Sequence, residues 1–418
     1  MQPSCFHYPR ALLLPVLAFG LILAGCDSSG SNGNDEPTTP SFEFAYPSNN
    51  YGASTVVNLL AFDLGVRAEQ ATGNPESTFL ELYTGGADDE PILATQVQNI
   101  ATEGQSVYGD IAGGVDLSAL VNTDDLIRGD QLDAADTPND GAAVNTDELL
   151  RYYFQLAGAE TQEDVARTDN GFVLNQFAEK MLLGTPLYEE GATILSNFAD
   201  GSASSADQWD MAFGYFGFPR SLEPFLDYAN GTEGLADGAA ARDVDENGSV
   251  DLTSEYIHTW ASYAIERAAA AENNGQPNDF ARDAFNAFVQ GREAIENGND
   301  PSDHAQTALE AWEATVAVNV IHYINSMRGD LASLDGASPV SEGDISEDAW
   351  GEAKAFAWNL QFYSDTLTEA QLNTLHELIG NDPPYGELTA SEYLADLDEA
   401  NQLLEDAYGF NASNVDAW

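Results

Sequence analysis

Two cysteines, two lysines and five histidines are all that 418 residues hold of the side chains that most often form disulfides, clamp phosphates or bind soft metals. With Cys5 and Cys26 placed near the start, no cysteine remains further along the chain for a disulfide framework or a thiolate zinc site. Bases are scarce altogether: 13 Lys and Arg stand against 70 Asp and Glu, a formal net charge of -57. Such a polyanion repels nucleic-acid backbones and anionic lipid headgroups, so no nucleic acid is expected among its partners. Catalytic signatures are missing as well. No Gly-x-Ser-x-Gly elbow and no His-Glu-x-x-His helix occurs.

What is present is a core. Hydrophobic residues make up 43% of the chain, enough to exclude wholesale disorder. The acidity resembles that of proteins from salt-loving organisms, in which most carboxylates are solvated surface, and concentrated salt would screen their mutual repulsion.

The apolar run Ala11 to Ala24 is too short to cross a bilayer, and it ends in Leu23, Ala24, Gly25 and Cys26. This order reads as a lipoprotein signal in residues 1–25, with Cys26 as the lipidated residue. Residues 26–41, rich in Ser, Gly, Asn and Pro, read as a flexible tether, and residues 42–418 as a helical domain of one or two subdomains. The expected location is a bacterial cell envelope, periplasmic or cell-surface side, with the lipid as membrane anchor.

Strand signatures are scarce, whereas apolar residues recur at spacings of three and four from about Ser54 to Tyr408. The pattern predicts an all-α bundle of about ten to twelve helices with long Gly- and Asp-rich loops. Predicted helices span Ser54–Thr72, Asn145–Ala157, Gly171–Leu183, Pro186–Phe198, Ser254–Glu272, Asn278–Glu296, Pro301–Leu334, Glu347–Thr366, Glu369–Ile379 and Ser391–Tyr408. Ser54 and Asn145 are expected as caps, Pro186 and Pro301 in first turns, and Gly85, Gly158 and Gly184 at helix ends. One or two short helices are expected between Gly85 and Pro138.

The helix from Pro301 carries two apolar stripes, Leu309, Trp312, Val316, Val320, Tyr323 and Met327 on one side and Ala311, Ala314, Val318 and Ile321 on another. Two stripes predict a central, buried helix. The remaining strip holds Thr315, Asn319, His322 and Ser326. It reads either as a ligand site around His322 and Asn319 or as a structural hydrogen-bond column.

Asp243, Asp245, Asn247, Ser249 and Asp251 occupy positions one, three, five, seven and nine of a loop with Gly248 at six. Oxygens on alternate residues and a glycine at the sharp turn are what a calcium ion needs, with Ser249 offering its main-chain carbonyl. The acid that closes an EF-hand at position twelve is replaced by Ser254 and arrives one residue later as Glu255, so the loop reads as an isolated calcium site of structural type, with a helix beginning at Ser254. A metal-free loop capping that helix is the alternative.

Other motifs are weaker. Glu255 and His258 share one face of the predicted helix, but the further Glu and His of a di-iron bundle are missing. Arg-Gly-Asp triplets at Arg128 to Asp130 and Arg328 to Asp330 read as chance turns. The aromatic segment Trp209 to Pro219 reads as a packed helix end or as a wall, led by Trp209 and Tyr215, for a flat ligand.

Taken together, Cys26 with its small-residue run, the aromatic segment Trp209 to Gly217, the Asp243 loop with Ser254, Glu255 and Tyr256, and the segment Ile321 to Asn325 resemble the bacterial lipoprotein family called domain of unknown function 4856. That family is similar to imelysin-type lipoproteins, helical proteins associated with iron or haem acquisition. The resemblance implies an envelope-anchored binding or uptake-accessory protein, with an outer-membrane receptor as a partner and iron or haem as cargo. An imelysin-like metal-dependent hydrolase and a structural surface protein are the rival readings. Imelysins carry Gly-x-His-x-x-Glu, and here His322 is followed at that spacing by Asn325, so neither the iron site nor a peptidase role transfers.

Overall fold

The computed structural model describes residues 44, 49–69, 76–85, 102–103, 115–121, 126–127, 131–132, 137–138, 144–159, 173–228, 240–248 and 250–418. Cys26, the expected leader and the expected tether lie outside these residues, as do Ser249 and the triplet Arg128 to Asp130. Over the described residues the helices are α1 (Asn49–Glu69), α2 (Glu76–Tyr83), α3 (Thr146–Ala159), α4 (Leu174–Leu183), α5 (Glu190–Ala199), α6 (Ala206–Phe216), α7 (Thr259–Asn273), α8 (Phe280–Glu296), α9 (Ser302–Leu331), α10 (Glu347–Phe362), α11 (Glu369–Ile379), α12 (Ala390–Tyr408) and α13 (Ala412–Val415). The fold is an all-α multi-helix bundle. Its described strands are two-residue pieces: β1 (Thr102–Glu103) runs parallel to β4 (Val250–Asp251), and β2 (Leu126–Ile127) runs antiparallel to β3 (Val144–Asn145).

α9 is the axis. Its two apolar stripes bury Leu309, Trp312, Val316, Val320 and Met327 together with Ala311, Val318 and Ile321. α5, α7, α8, α10 and α12 pack around it, while α1 lies against α4 and α6. Phe42–Trp418 is one compact unit.

Helix starts follow local chemistry where a cap is present. Asn145 Oδ1 accepts the Glu148 N–H at 2.8 Å and the Glu148 carboxylate accepts the Asn145 N–H, a capping box that opens α3. Thr368 with Gln371 and Thr389 with Glu392 do the same for α11 and α12, each cap contributing about 1 kcal/mol. Other expected boundaries shift. Ser54 is buried inside α1, which starts at Asn49, so it is no cap. α2 and α6 lie outside the ten predicted helical spans, the first ending just before Gly85, φ +92°, and the second forming the packed helix end expected of the aromatic segment. The aromatic segment is α6, ending at Gly217 with φ +89°.

Pro186 is not in a first turn. α4 and α5 are one continuous rod joined by a π-helical segment, Gly184–Glu189, and Pro186 sits inside it. Widening the helix there absorbs the missing proline N–H, and side chains from other helices take up main-chain carbonyls. Asn359 Nδ2 donates to the Lys180 carbonyl at 2.9 Å and Trp260 Nε1 to that of Leu183 at 2.9 Å. Gly184 is needed for this closeness, since a Cβ there would lie 2.0 Å from Asn359 Oδ1.

Five of the tryptophans, Trp209, Trp260, Trp312, Trp350 and Trp358, are fully buried. Four of these indole N–H groups reach an acceptor, on Phe288, Leu183, Ile379 and Gln131 respectively, which fixes how each ring sits as well as how much apolar area it covers. No described helix is long and apolar enough to cross a membrane.

Candidate metal centre

The Asp243 loop is pinched shut at its base. Ala241 bridges Tyr256, Arg242 N donates to the Glu255 carbonyl at 3.0 Å, and Ile257 N donates to the Ala240 carbonyl at 2.9 Å. Inside the loop, amides turn toward carboxylates. Asp243 Oδ1 accepts the Asn247 N–H at 3.0 Å and Oδ2 the Gly248 N–H at 2.9 Å, while Asp245 Oδ1 accepts the Asn247 N–H at 3.1 Å. The sharp turn uses left-handed backbone at Glu246, φ +58°, and Gly248, φ +94°. Glycine suits that angle and glutamate resists it.

The residue after the loop closes it. Glu255 is buried, its Oε1 accepting the Val244 and Asp245 N–H groups at 2.8 and 3.1 Å and its Oε2 the Asp251 N–H at 2.9 Å. One carboxylate oxygen from each of Asp243, Asp245 and Glu255 lies within 4.8 Å of the others. Twice a calcium–oxygen bond of about 2.4 Å is about 4.8 Å, so a single ion can touch all three. The donors are hard oxygens with three negative charges, the set that calcium selects over softer metals.

Not every residue of the expected ligand set joins them. Asp251 Oδ1 accepts the Thr253 N–H and hydroxyl, both at 2.8 Å, and its Oδ2 accepts the Ser254 hydroxyl at 3.0 Å, so its carboxylate serves the following turn. Asn247 Nδ2 donates to Asp245 Oδ2 at 3.1 Å. The helix expected at Ser254 begins instead at Thr259, after His258, because Asp251 through Glu255 form a turn that uses up the amides. Glu255 and His258 therefore share no helix face. His258 Nε2 donates to the Leu252 carbonyl at 2.8 Å, and burial holds the imidazole down to about 4.

The loop is wired into the bundle. Arg220 N donates to the Ser254 carbonyl, His258 N to that of Gly217, and Phe44 N to that of Arg220, at 2.7 to 2.9 Å. Asn58 of α1 joins the Thr259 hydroxyl to the Gly214 carbonyl at the end of α6. β4, the strand within the loop, pairs Val250 with Thr102.

The strip on α9 has a different character. Thr315 Oγ1 donates back to the Ala311 carbonyl and Asn319 Nδ2 to that of Thr315, both at 2.8 Å. His322 Nδ1 accepts from Arg267 Nη1 at 2.7 Å, and the ring donates to the Trp418 carbonyl. Burial and the Arg267 charge hold this imidazole down to about 3, so it is neutral. A ligand reaching either ring nitrogen has to displace a protein partner. Ser326 at the end of the strip is exposed.

Trp209 and Tyr215, the expected aromatic wall, are buried on α6. The Trp209 ring meets Phe198 edge to face at 5.0 Å, its Nε1 donates to the Phe288 carbonyl, and a Cβ on Gly291 would lie 2.1 Å from it. A flat ligand would have to open the core to stack there. The second Arg-Gly-Asp triplet closes α9, where Arg328 pairs with Asp398 at 2.6 Å and Asp330 accepts the Ser346 N–H.

Sequence reasoning passed over several polar groups the bundle gathers. Glu313 on α9 is buried and accepts the Asp365 and Thr366 N–H groups, the Ser364 hydroxyl and the Tyr408 hydroxyl. Asp210 and Arg292 form a buried pair at 2.9 Å. Both lysines are buried. A charged residue at a helix position otherwise reserved for the core was the available signal.

No protein-family model, no curated protein and no solved structure matches the chain.

Proposed function

We propose that the chain is an envelope-anchored bacterial lipoprotein whose helical domain is braced by calcium at the Asp243 loop and works as a binding or uptake-accessory protein. The observation that carries the metal part is the convergence of Asp243, Asp245 and Glu255 oxygens within 4.8 Å on a loop tied to the end of α6 and the start of α7. Calcium there neutralises carboxylates that otherwise repel one another, and it cross-links the start of α7, the end of α6 and the β1–β4 ladder. A brace of this kind suits extracellular calcium, which such modules bind at about 0.1 to 1 mM. The envelope address is supported by the order of residues up to Cys26. Iron or haem as cargo rests on the resemblance to imelysin-type lipoproteins.

Titration of the metal-free protein with calcium by calorimetry tests the brace. One site of sub-millimolar to millimolar affinity, lost in Asp243→Ala with Asp245→Ala, is the expected result; heat unchanged in that double variant removes the assignment. Mass spectrometry of the protein purified from membranes is expected to find acyl chains on Cys26. Haem added to wild type is expected to shift its absorption band, and an unshifted spectrum ends the haem reading.

A further inference from the structure

Lys180 is 5% exposed, one of two lysines in a chain whose other eleven bases are arginine. Its Nζ lies 3.0 Å from Glu179 Oε1 on its own helix and 3.2 Å from Glu352 Oε1 on α10. Two carboxylates therefore share one ammonium at the α4–α10 junction. Aromatic rings close the site: Tyr263 of α7 sits under the ammonium at 6.0 Å, Tyr323 of α9 donates to the Glu352 carboxylate, and Phe356 lies between the two tyrosine rings at 5.4 and 5.6 Å. Other charged groups facing the cluster among the described residues are Glu266 and Arg267 of α7, beyond the tyrosines.

We propose that Glu179, Lys180 and Glu352 form a proton-operated clamp between α4 and α10, in which Glu352 holds one proton on the acid side of neutrality and releases it to solvent water as the pH rises through neutrality. The balance of charges decides which group carries the proton. One ammonium balances one carboxylate, and the second, on the more deeply buried Glu352, is more stable as the neutral acid. In that form the cluster has no net charge. Loss of the proton leaves one buried negative charge unbalanced, and water drawn in to solvate it separates the helices. Burial pushes Glu352 up to about 7 against the opposing pull of Lys180, with Glu179 adding to the rise. Lys180 stays charged: burial works against its ammonium, but Glu179, Tyr263 and Glu352 outweigh it and hold it above the usual range. The junction matters because Asn359, two turns along α10 from Glu352, holds the Lys180 carbonyl at the start of the π segment.

Infrared spectroscopy of the intact protein between pH 5.5 and 9 tests this. Wild type is expected to show a protonated-carboxyl band that disappears with a midpoint near pH 7, Glu352→Gln to lack it, and Glu179→Gln to move the midpoint down by about one pH unit, since Glu352 then has the ammonium to itself. A wild-type spectrum without that band, or a band left in place in Glu352→Gln, overturns the proposal. Should Glu352→Gln fail to fold, Glu179→Gln decides, with an unmoved midpoint counting against the clamp. Amide hydrogen exchange, corrected for the intrinsic pH effect, is expected to quicken several-fold in α4 and α10 above the midpoint; unchanged protection there rules out the mechanical part.

Discussion

Glu255 accepts the Asp245 N–H at 3.1 Å while a carboxylate oxygen of each residue lies within 4.8 Å of the other, so the side chain that closes the loop also belongs to the candidate cation cluster. The two acids should therefore fail differently. Asp245→Asn removes charge from the exposed side and is expected to lower calcium affinity about tenfold or more with little effect on the metal-free fold. Glu255→Gln is expected to lower both, because three main-chain N–H groups lose a charged acceptor, at about 1.5 to 3 kcal/mol for such a bond. Calorimetry with calcium and denaturant melts with chelator separate the two effects; equal metal-free stability of the two variants contradicts this account.

Calcium itself should raise stability by mass action. At 10 mM ion and a dissociation constant of about 0.1 to 1 mM, the gain is about 1.4 to 2.7 kcal/mol. A thermal melt with and without chelator is expected to show a rise of a few degrees, with magnesium a poorer substitute because it demands tighter geometry.

Amine-directed reagents should leave both lysines of the folded protein unlabelled. Lys180 is held as described above, and Lys354, fully buried, donates to the His376 and Gly380 carbonyls, closing the carboxyl end of α11. Peptide mapping is expected to find label at these positions only after unfolding. Fast labelling of Lys354 under native conditions would show that this cap opens.

Asp210 and Arg292 join α6 to α8, with Arg292 Nη1 also on Glu296 at 2.8 Å. Arg292→Met strands a buried carboxylate and is expected to cost about 3 to 5 kcal/mol in denaturant unfolding. Combining it with Asp210→Leu is expected to recover most of that loss. A double variant as unstable as the single one would mean that packing rather than charge holds this junction.

Acid should weaken the fold through His322. Its folded-state value, about 3, lies below the ordinary 6.5, so the unfolded chain binds the proton more readily. The contribution of the neutral ring is complete above pH 6.5 and is lost as pH falls toward 3, at most about 1.4 kcal/mol per pH unit. Glu352 works in the opposite direction, its protonated form favouring the fold below about 7. The measurement is thus the difference in pH slope between wild type and His322→Gln from pH 6.5 to 4, expected to be shallower in the variant. Identical slopes would show that His322 binds its proton as readily in the folded protein as in the unfolded chain.

Much of this was legible along the chain, and the reason is locality. α8, α9 and α11 fall within a few residues of where periodicity and Pro301 put them, because a helix is a run of near neighbours with punctuated ends. The turn residues of the calcium-like loop are local too, so Asp243, Asp245 and Gly248 could be recognised in place. Their partner was harder to assign: Glu255 looked like the first turn of a helix, and only its bonds to the Val244, Asp245 and Asp251 amides show it lying across the loop.

Composition and spacing alone established a polyanionic helical chain with α9 at its centre, since charge, burial period and loop chemistry are written within a few residues of one another. Packing decided the rest. Which carboxylate shares Lys180, whether Pro186 breaks a rod or widens it, and which acceptor each indole finds depend on groups brought together from distant stretches by the burial of five tryptophans. A side chain's charge state and partners belong to that enclosure, where water is displaced and each polar atom must be matched from another helix.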